Sequence, residues 1–255
     1  MDNSFLLDAM DWSYTRVNSF DQCPRMFDLT YLQCKDRVEN AFAQWGSLGH
    51  SILERYFRGQ IELWDMSRLY ESEYSVAVSE RFPFPRLEES YYGRGLAYFN
   101  EFSGQIGDEV EILGVEEQYS STLGGRPVVG IIDLIPRNES GLIVCDHKSR
   151  GKWKSKDERR KSLRQMNLYA FQLKEKYGKW PAELWFNKFR EGCLDREPFS
   201  KIAAQEGRDW FLRSIDNIYR AESFPAKPDH FFCDHLCSVR EHCEYSSSFL
   251  GGVYE

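Results

Sequence analysis

No stretch of this chain is apolar over the roughly 20 residues that a bilayer crossing needs. The opening MDNSFLLDAMDWSYTR lacks the basic start and long apolar region of a secretion signal. Together these absences lead to the expectation of a cytoplasmic protein (host cytoplasm if viral) with no membrane partner. No internal repeat or low-complexity tract is present, which excludes repeat arrays and disordered tails of that kind. The pattern G-x-x-x-x-G-K-[ST] is missing, so the chain carries no P-loop motor of its own. No zinc-finger or helix-turn-helix pattern is visible either, so no module for reading a base sequence is evident. Positive charge is not in excess: 33 Lys and Arg face 40 Asp and Glu, a net charge of −7. That balance argues against indiscriminate coating of nucleic acid.

What is present is enough for a substantial core. The 255 residues are 42% hydrophobic and 15% aromatic, which fits one large domain or a core with an embellishing subdomain and excludes a disordered chain. The seven cysteines read as free thiols or metal ligands in a reducing compartment, not as disulfides. Cys233, Cys237 and Cys243 stand in FFCDHLCSVREHC, spaced C-x3-C-x5-C, close enough to share one metal. Cys23 in SFDQCPRMF is the natural fourth ligand, with Cys34 its rival. On spacing alone zinc suits this set at least as well as iron–sulfur, and His235 and His242 compete as ligands in a zinc version. Cys34, Cys145 and Cys193 otherwise read as ordinary packed or partly exposed thiols.

The first 110 residues read as mostly helical. Ser13 or Thr15 can cap a helix that Pro24 bends or divides. Leu48, Ile52, Leu53 and Phe57 recur at helical spacing over 45–58, and 63–80 and 86–103 follow as further helices. From about 111 the pattern changes to strands. EILGVEEQYSST, PVVGIIDLIPR and GLIVCDHKS, separated by LGGRP and NESG turns, form a three-stranded meander. A helix over about 158–177, a strand in PAELWFNKFR and a helix over 200–221 come next. The tail after Pro225 and Pro228 suits an irregular wrap. This order gives an α/β core with a helical N-terminal cap. The expected division is 1–110 (helical, carrying Cys23 and His50), 111–222 (α/β core) and 223–255 (metal-cluster segment), in one integrated domain.

Two residues apart on one strand, Asp146 and Lys148 project from the same face, and Asp133 on the neighbouring strand can join them. Paired carboxylates suit Mg²⁺ or Mn²⁺. A lysine beside them can orient a water or neutralise charge building on a phosphate. The stretch SRGKWKSKDERRKSLRQ that follows carries eight Lys and Arg against two acids, a local excess pointing to phosphate contact.

The series G-x-x-D at Asp133, D-x-K at Asp146 and Lys148, and Q-x-x-x-Y at Gln165 and Tyr169 resembles the PD-(D/E)XK nuclease superfamily in its RecB-like branch. GSLGHSILE around His50 fits that branch's upstream motif, and SYTRVNSFDQCPRMF resembles its opening segment. The resemblance implies a restriction-endonuclease-like mixed sheet with a helical N-terminal cap and a cysteine-rich C-terminal wrap. By the same resemblance His50, Asp133, Asp146 and the backbone carbonyl of His147 bind the metal, Lys148 serves the attacking water, and Gln165 and Tyr169 hold the DNA and the site geometry. Glu54, one turn after His50, is a possible support; Glu116 or Glu117 is a weaker candidate. The resemblance also implies a [4Fe–4S] cluster on Cys23, Cys233, Cys237 and Cys243, with zinc as the alternative. Related nucleases space the tail cysteines C-x2-C-x5-C, one residue shorter than here.

The resulting expectation is a Mg²⁺- or Mn²⁺-dependent DNA exonuclease acting on single-stranded or frayed ends. Arg150, Lys152, Lys154, Lys156, Arg159 and Arg160 would meet phosphates, and Trp153 would stack on an unpaired base. Any helicase, recombination or CRISPR-adaptation partner would be a separate polypeptide. The alternatives are an endonuclease or end-trimming subunit of a DNA-processing complex, and a zinc-stapled scaffold that binds DNA or protein without cleaving.

Overall fold

The computed structural model describes residues 4–102, 106 and 110–251. In chain order the elements are α1 (Ser4–Asp8), α2 (Tyr14–Gln22), α3 (Pro24–Phe27), α4 (Ala41–Phe57), α5 (Met66–Ala77), α6 (Pro85–Asn100), β1 (Glu111–Leu123), β2 (Arg126–Asn138), β3 (Gly141–His147), α7 (Lys156–Tyr177), β4 (Glu183–Lys188), β5 (Cys193–Pro198), α8 (Lys201–Arg220) and α9 (His230–His235). Residue 103, the far end of the helix expected over 86–103, lies outside the described residues.

The strands form one five-stranded sheet in the order β1-β2-β3-β4-β5. Gly124 and Gly125, at φ 57° and 80°, supply the left-handed pair that a two-residue hairpin between β1 and β2 requires. The β2–β3 and β4–β5 pairs are antiparallel, while β3 and β4 are parallel and joined by α7. The sheet is therefore mixed, as expected from the sequence. β5 is an addition: CLDREP is charged and only partly buried, so it carries little of the apolar signal by which strands are recognised.

β3 is buried along both faces, and its alternation is strict. Leu142 and Val144 join Ile132, Met166, Tyr169, Leu173 and Phe186 on the α7 side. Ile143 and Cys145 turn the other way, to Leu134 and Trp185. Cys145 thus faces away from Asp146, as period-2 geometry demands. Helices α4, α5 and α6 bury a separate aromatic cluster around Trp45, Tyr70, Tyr98 and Phe189. Within it the Trp45 indole N–H donates to the Tyr70 hydroxyl at 2.9 Å.

The chain folds into two compact units, which interleave along the sequence. One comprises 41–119 and 130–208, and so holds α4–α7 with most of the sheet. The other comprises 1–40, 120–129 and 209–255, uniting the chain's beginning with its end. In that second unit Ser13 caps α2, its hydroxyl accepting from Arg16 N–H at 3.2 Å, and Pro24 starts α3, dividing the helical run where expected. The tail is largely irregular, as expected, with one short α-helix in it. His230–His235 is helical because Asp229 caps it, its carboxylate accepting from Phe232 N–H at 2.8 Å.

Candidate functional site

The β2–β3 register sets Leu134 opposite Cys145, which places Asp133 level with Asp146. His147 N–H donates to Asp133 Oδ2 at 2.7 Å, fixing that carboxylate at the end of β3. The Lys148 ammonium lies 2.7 Å from Asp146 Oδ2 and donates to Gln165 Oε1 at 3.0 Å. Gln165 in turn donates to the Tyr169 hydroxyl at 2.9 Å, one turn along α7. The residues of D-x-K and Q-x-x-x-Y thus form one continuous polar chain. Gly130, three residues before Asp133, explains its own lack of a side chain: a Cβ there would stand 2.9 Å from the Tyr169 ring.

α4 brings His50 to the same point. Its Nδ1 is 3.6 Å from Asp133 Oδ2 and 3.8 Å from Glu116 Oε1. His50, Glu116 and Asp133 each offer one donor atom, all within 4.8 Å of one another. One imidazole with two carboxylates forms a donor set suited to a hard or borderline divalent cation. Asp146 adds a further test of that fit. Its Oδ2 is buried and accepts no hydrogen bond, since the nearby ammonium sits off the bonding angle. A buried carboxylate oxygen with a spare lone pair is what a cation would satisfy.

The electrostatics agree with the geometry. Burial, with the Asp146 charge adding to it, pushes the Asp133 carboxyl up to about 7. Burial opposes protonation of His50, yet the nearby carboxylates of Glu116, Asp133 and Asp146 outweigh it and raise its pKa. A cation would relieve this crowding of carboxylates and displace the His50 proton.

Among the acids weighed on β1, the structure selects Glu116. Its φ of 48° puts a non-glycine residue in the left-handed region, as in a β-bulge that re-aims a side chain. Glu117 is engaged elsewhere, paired with Lys176 and accepting from the Tyr119 hydroxyl. The only sequence signal for Glu116 is two adjacent acids in a strand that otherwise alternates. Glu54 lines the same cleft as His50, but its carboxylate is held by Arg58 at 2.9 Å. The cleft is open to solvent, has a volume of about 480 Å³ and is lined by small residues of α4, among them Ala43, Gly46, Ser47 and Ser51.

In the basic segment the charges separate into two groups. Arg150 pairs with Glu158, Arg159 with Glu197, and Arg160 with Asp157. Lys152, Lys154 and Lys156 are exposed and have no ion-pair partner among the described residues. Trp153 is drawn inward. Its ring meets Phe186 edge-on at 5.2 Å, and the Lys188 ammonium lies 4.3 Å from its centroid. This departs from the open stacking platform expected of it, because the indole adds apolar area to the α7 face of the sheet.

The four cysteines of the metal set all belong to the interleaved unit of chain ends and are all free and buried. Together with Met26 and Leu29 they line an apolar hollow. Burial pushes the Cys237 thiol up to about 11, and Cys243, Cys23 and Cys233 contribute as charged neighbours. Lys227 N–H donates to Cys23 Sγ at 3.5 Å. Cys34 is exposed, and its Sγ reaches the Tyr31 carbonyl.

Comparison with known proteins finds a family model and similar solved structures. The family model described as the PD-(D/E)XK nuclease superfamily matches residues 11–244. A solved structure titled "Crystal structure of SSO0001" is similar at 15% identity, with 95% of each chain covered and a TM-score of 0.40. No curated protein matches the chain.

Proposed function

Since this chain belongs to the PD-(D/E)XK nuclease superfamily, we propose that it is a Mg²⁺- or Mn²⁺-dependent exonuclease that hydrolyses phosphodiester bonds at single-stranded or frayed DNA ends. The observation that carries the reading is convergence. Four elements far apart in sequence deliver His50, Glu116, Asp133 and the Asp146–Lys148 pair to one place.

His50, Glu116, Asp133 and Asp146, with the His147 carbonyl, would hold the cation. When bound, the metal supplies Lewis-acid polarisation of the phosphate and a more acidic water. The protein's own residues do the rest. Lys148, aligned by Gln165 and Tyr169, orients the attacking water and neutralises charge at phosphorus. The cleft along α4 gives the strand a bed without bulky side chains, open at the metal ligands. Lys152, Lys154 and Lys156 meet phosphates, which give affinity without base reading. That charge pattern favours recognition of ends and strand state over recognition of a sequence.

The cysteine unit fits a [4Fe–4S] cluster better than a single zinc. At Zn–S bonds of about 2.3 Å, tetrahedral thiolates stand roughly 3.8 Å apart. Among the described residues no three cysteine sulfurs lie within 4.8 Å of one another, so the hollow suits a larger polynuclear group. The Lys227 N–H on Cys23 suits anionic sulfur, and the apolar lining would keep water away from a bound group. The role we assign it is structural, joining the two ends of the chain.

End-labelled single- and double-stranded DNA incubated with Mg²⁺ or Mn²⁺ tests the catalytic reading. Wild type is expected to release mononucleotides or short products from ends. Asp146→Ala and Lys148→Ala should each lose at least about a hundredfold in rate. Equal rates in all three proteins would reject the site.

A further inference from the structure

Behind the carboxylates lies a buried polar chain that the reading above leaves unused. The residue between Asp146 and Lys148 is a histidine exposed to only 3%. Its ring lies flat on Phe57, at 5.9 Å and 8°, and is met edge-on by His50 at 5.7 Å and 77°. Nδ1 of His147 accepts from the amide N–H of Asn187 at 2.9 Å. Asn187 is its register partner on β4 and is fully buried. The side-chain oxygen of Asn187 accepts from the Tyr98 hydroxyl at 2.9 Å, and Tyr98 is buried on α6. The Asn187 backbone carbonyl accepts Lys148 N–H at 2.7 Å.

Asn187 therefore grips residue 147 by its ring and residue 148 by its backbone. The gripped segment is the one that matters. Its N–H holds Asp133 Oδ2 at 2.7 Å, and its ring is the surface against which His50 stands. A core position needs none of this. Cys145 and Ile143, two and four residues earlier on the same face of β3, are apolar and closely packed. Burying an imidazole, an amide and a phenol in series costs desolvation that an aliphatic trio would avoid. The series is satisfied link by link and ends at two residues of the proposed metal centre.

Resting on the nuclease reading, we propose that Asn187, backed by Tyr98 and acting through His147, is a positioning residue for the divalent metal. It fixes the His147 peptide and ring, and through them the Asp133 carboxylate and the His50 imidazole. Outer partners of this kind typically change metal affinity by 10- to 100-fold.

Calorimetric titration of the DNA-free, full-length protein with Mn²⁺, paired with cleavage at graded Mn²⁺, tests this. Asn187→Leu should weaken Mn²⁺ binding about tenfold and shift the half-maximal Mn²⁺ for cleavage by the same factor, with rate restored at saturating metal and KM for DNA unchanged. Tyr98→Phe, which removes one oxygen and keeps the volume, should move both quantities in the same direction by a smaller factor, and it serves if Asn187→Leu does not fold. In a His147→Leu background, Asn187→Leu should add no further loss, since its route to the metal is gone. Lower melting temperatures with unchanged Mn²⁺ affinity would show a merely structural network and overturn the proposal. Asp133→Ala is the control for the underlying reading. If wild type binds no Mn²⁺, or Asp133→Ala binds it as well as wild type does, the metal centre itself is wrong and the proposal falls with it.

Discussion

Asp133 is the residue at which folding and chemistry conflict. Its carboxyl is held at about 7 by burial and by Asp146, against about 3.9 in an unfolded chain. Between those values the folded protein binds the extra proton, so stability falls as pH rises. The penalty is absent near pH 4, grows towards 7 and is complete above it. Asp133→Asn removes the penalty. In EDTA at pH 8 the variant should therefore melt higher than wild type, on the order of 5 °C, and at pH 4 the two should coincide. Mn²⁺ should raise the wild type at pH 8 and leave the variant nearly unmoved. A melting difference independent of pH would show that the carboxyl is not crowded. The sequence makes the company of Asp133, Asp146 and Lys148 legible because period-2 spacing and one short hairpin determine it. It leaves Glu116 and Glu117 undecided, since the choice between them depends on the left-handed backbone at Glu116, which period-2 spacing does not foretell. Nor does it reveal Asn187 or Tyr98, whose partners are set by β3–β4 register and by helix packing across long sequence separations.

At the scale of elements, α7 and the loop before it divide their charge between fold and ligand. The helix is capped at both ends as its sequence suggests: the Ser155 hydroxyl accepts from Glu158 N–H, and Gly178 takes the left-handed conformation. Asp157 and Glu158 in the first turn recruit Arg150 and Arg160, and Glu197 on β5 recruits Arg159. Those arginines are spoken for, which the run of charges alone does not disclose. Lys152, Lys154 and Lys156 stay available. Replacing these three lysines with glutamine should weaken single-strand binding and flatten its dependence on salt by about 2 in the log–log slope, near 0.7 per phosphate contact. Replacing Arg159 and Arg160 in the same way should flatten the slope less and lower stability slightly. Fluorescence anisotropy with labelled single strands over a range of KCl measures both. Equal slopes in the two variants would mean that the ion pairs open to bind DNA and that the division drawn here is wrong. β5 is hard to read from sequence because a strand with exposed, charged positions lacks the apolar signal that marks β2 and β3.

Across the whole molecule the residues proposed for the two metal chemistries fall in separate compact units. Every ligand proposed for the divalent cation lies within 41–119 and 130–208, and every cysteine proposed for the cluster lies within 1–40 and 209–255. The unit that holds the cysteines joins the chain's beginning to its end by hydrogen bonds and ring contacts as well, among them Val38 N–H to the Ser238 carbonyl at 2.7 Å, the Trp210 indole to Asp21 at 2.9 Å, and Phe27 stacked on Phe224 at 6.1 Å. A metal group held by sulfurs from both ends would add its binding free energy to the folding of this unit. The two centres should therefore fail independently. Cys237→Ser, purified without oxygen, should lose iron, sulfide and absorbance near 400 nm, and limited proteolysis should then cut within 23–40 and 223–250. Its Mn²⁺ affinity should stay near that of wild type, because no ligand of that site comes from the sulfur unit. Asp146→Ala should do the reverse, keeping full colour and iron while losing cleavage. Zinc at one per chain in colourless wild-type protein would replace the cluster with a mononuclear site and contradict the wide sulfur spacing. Loss of Mn²⁺ binding in Cys237→Ser would show instead that the sulfur group supports the catalytic centre directly.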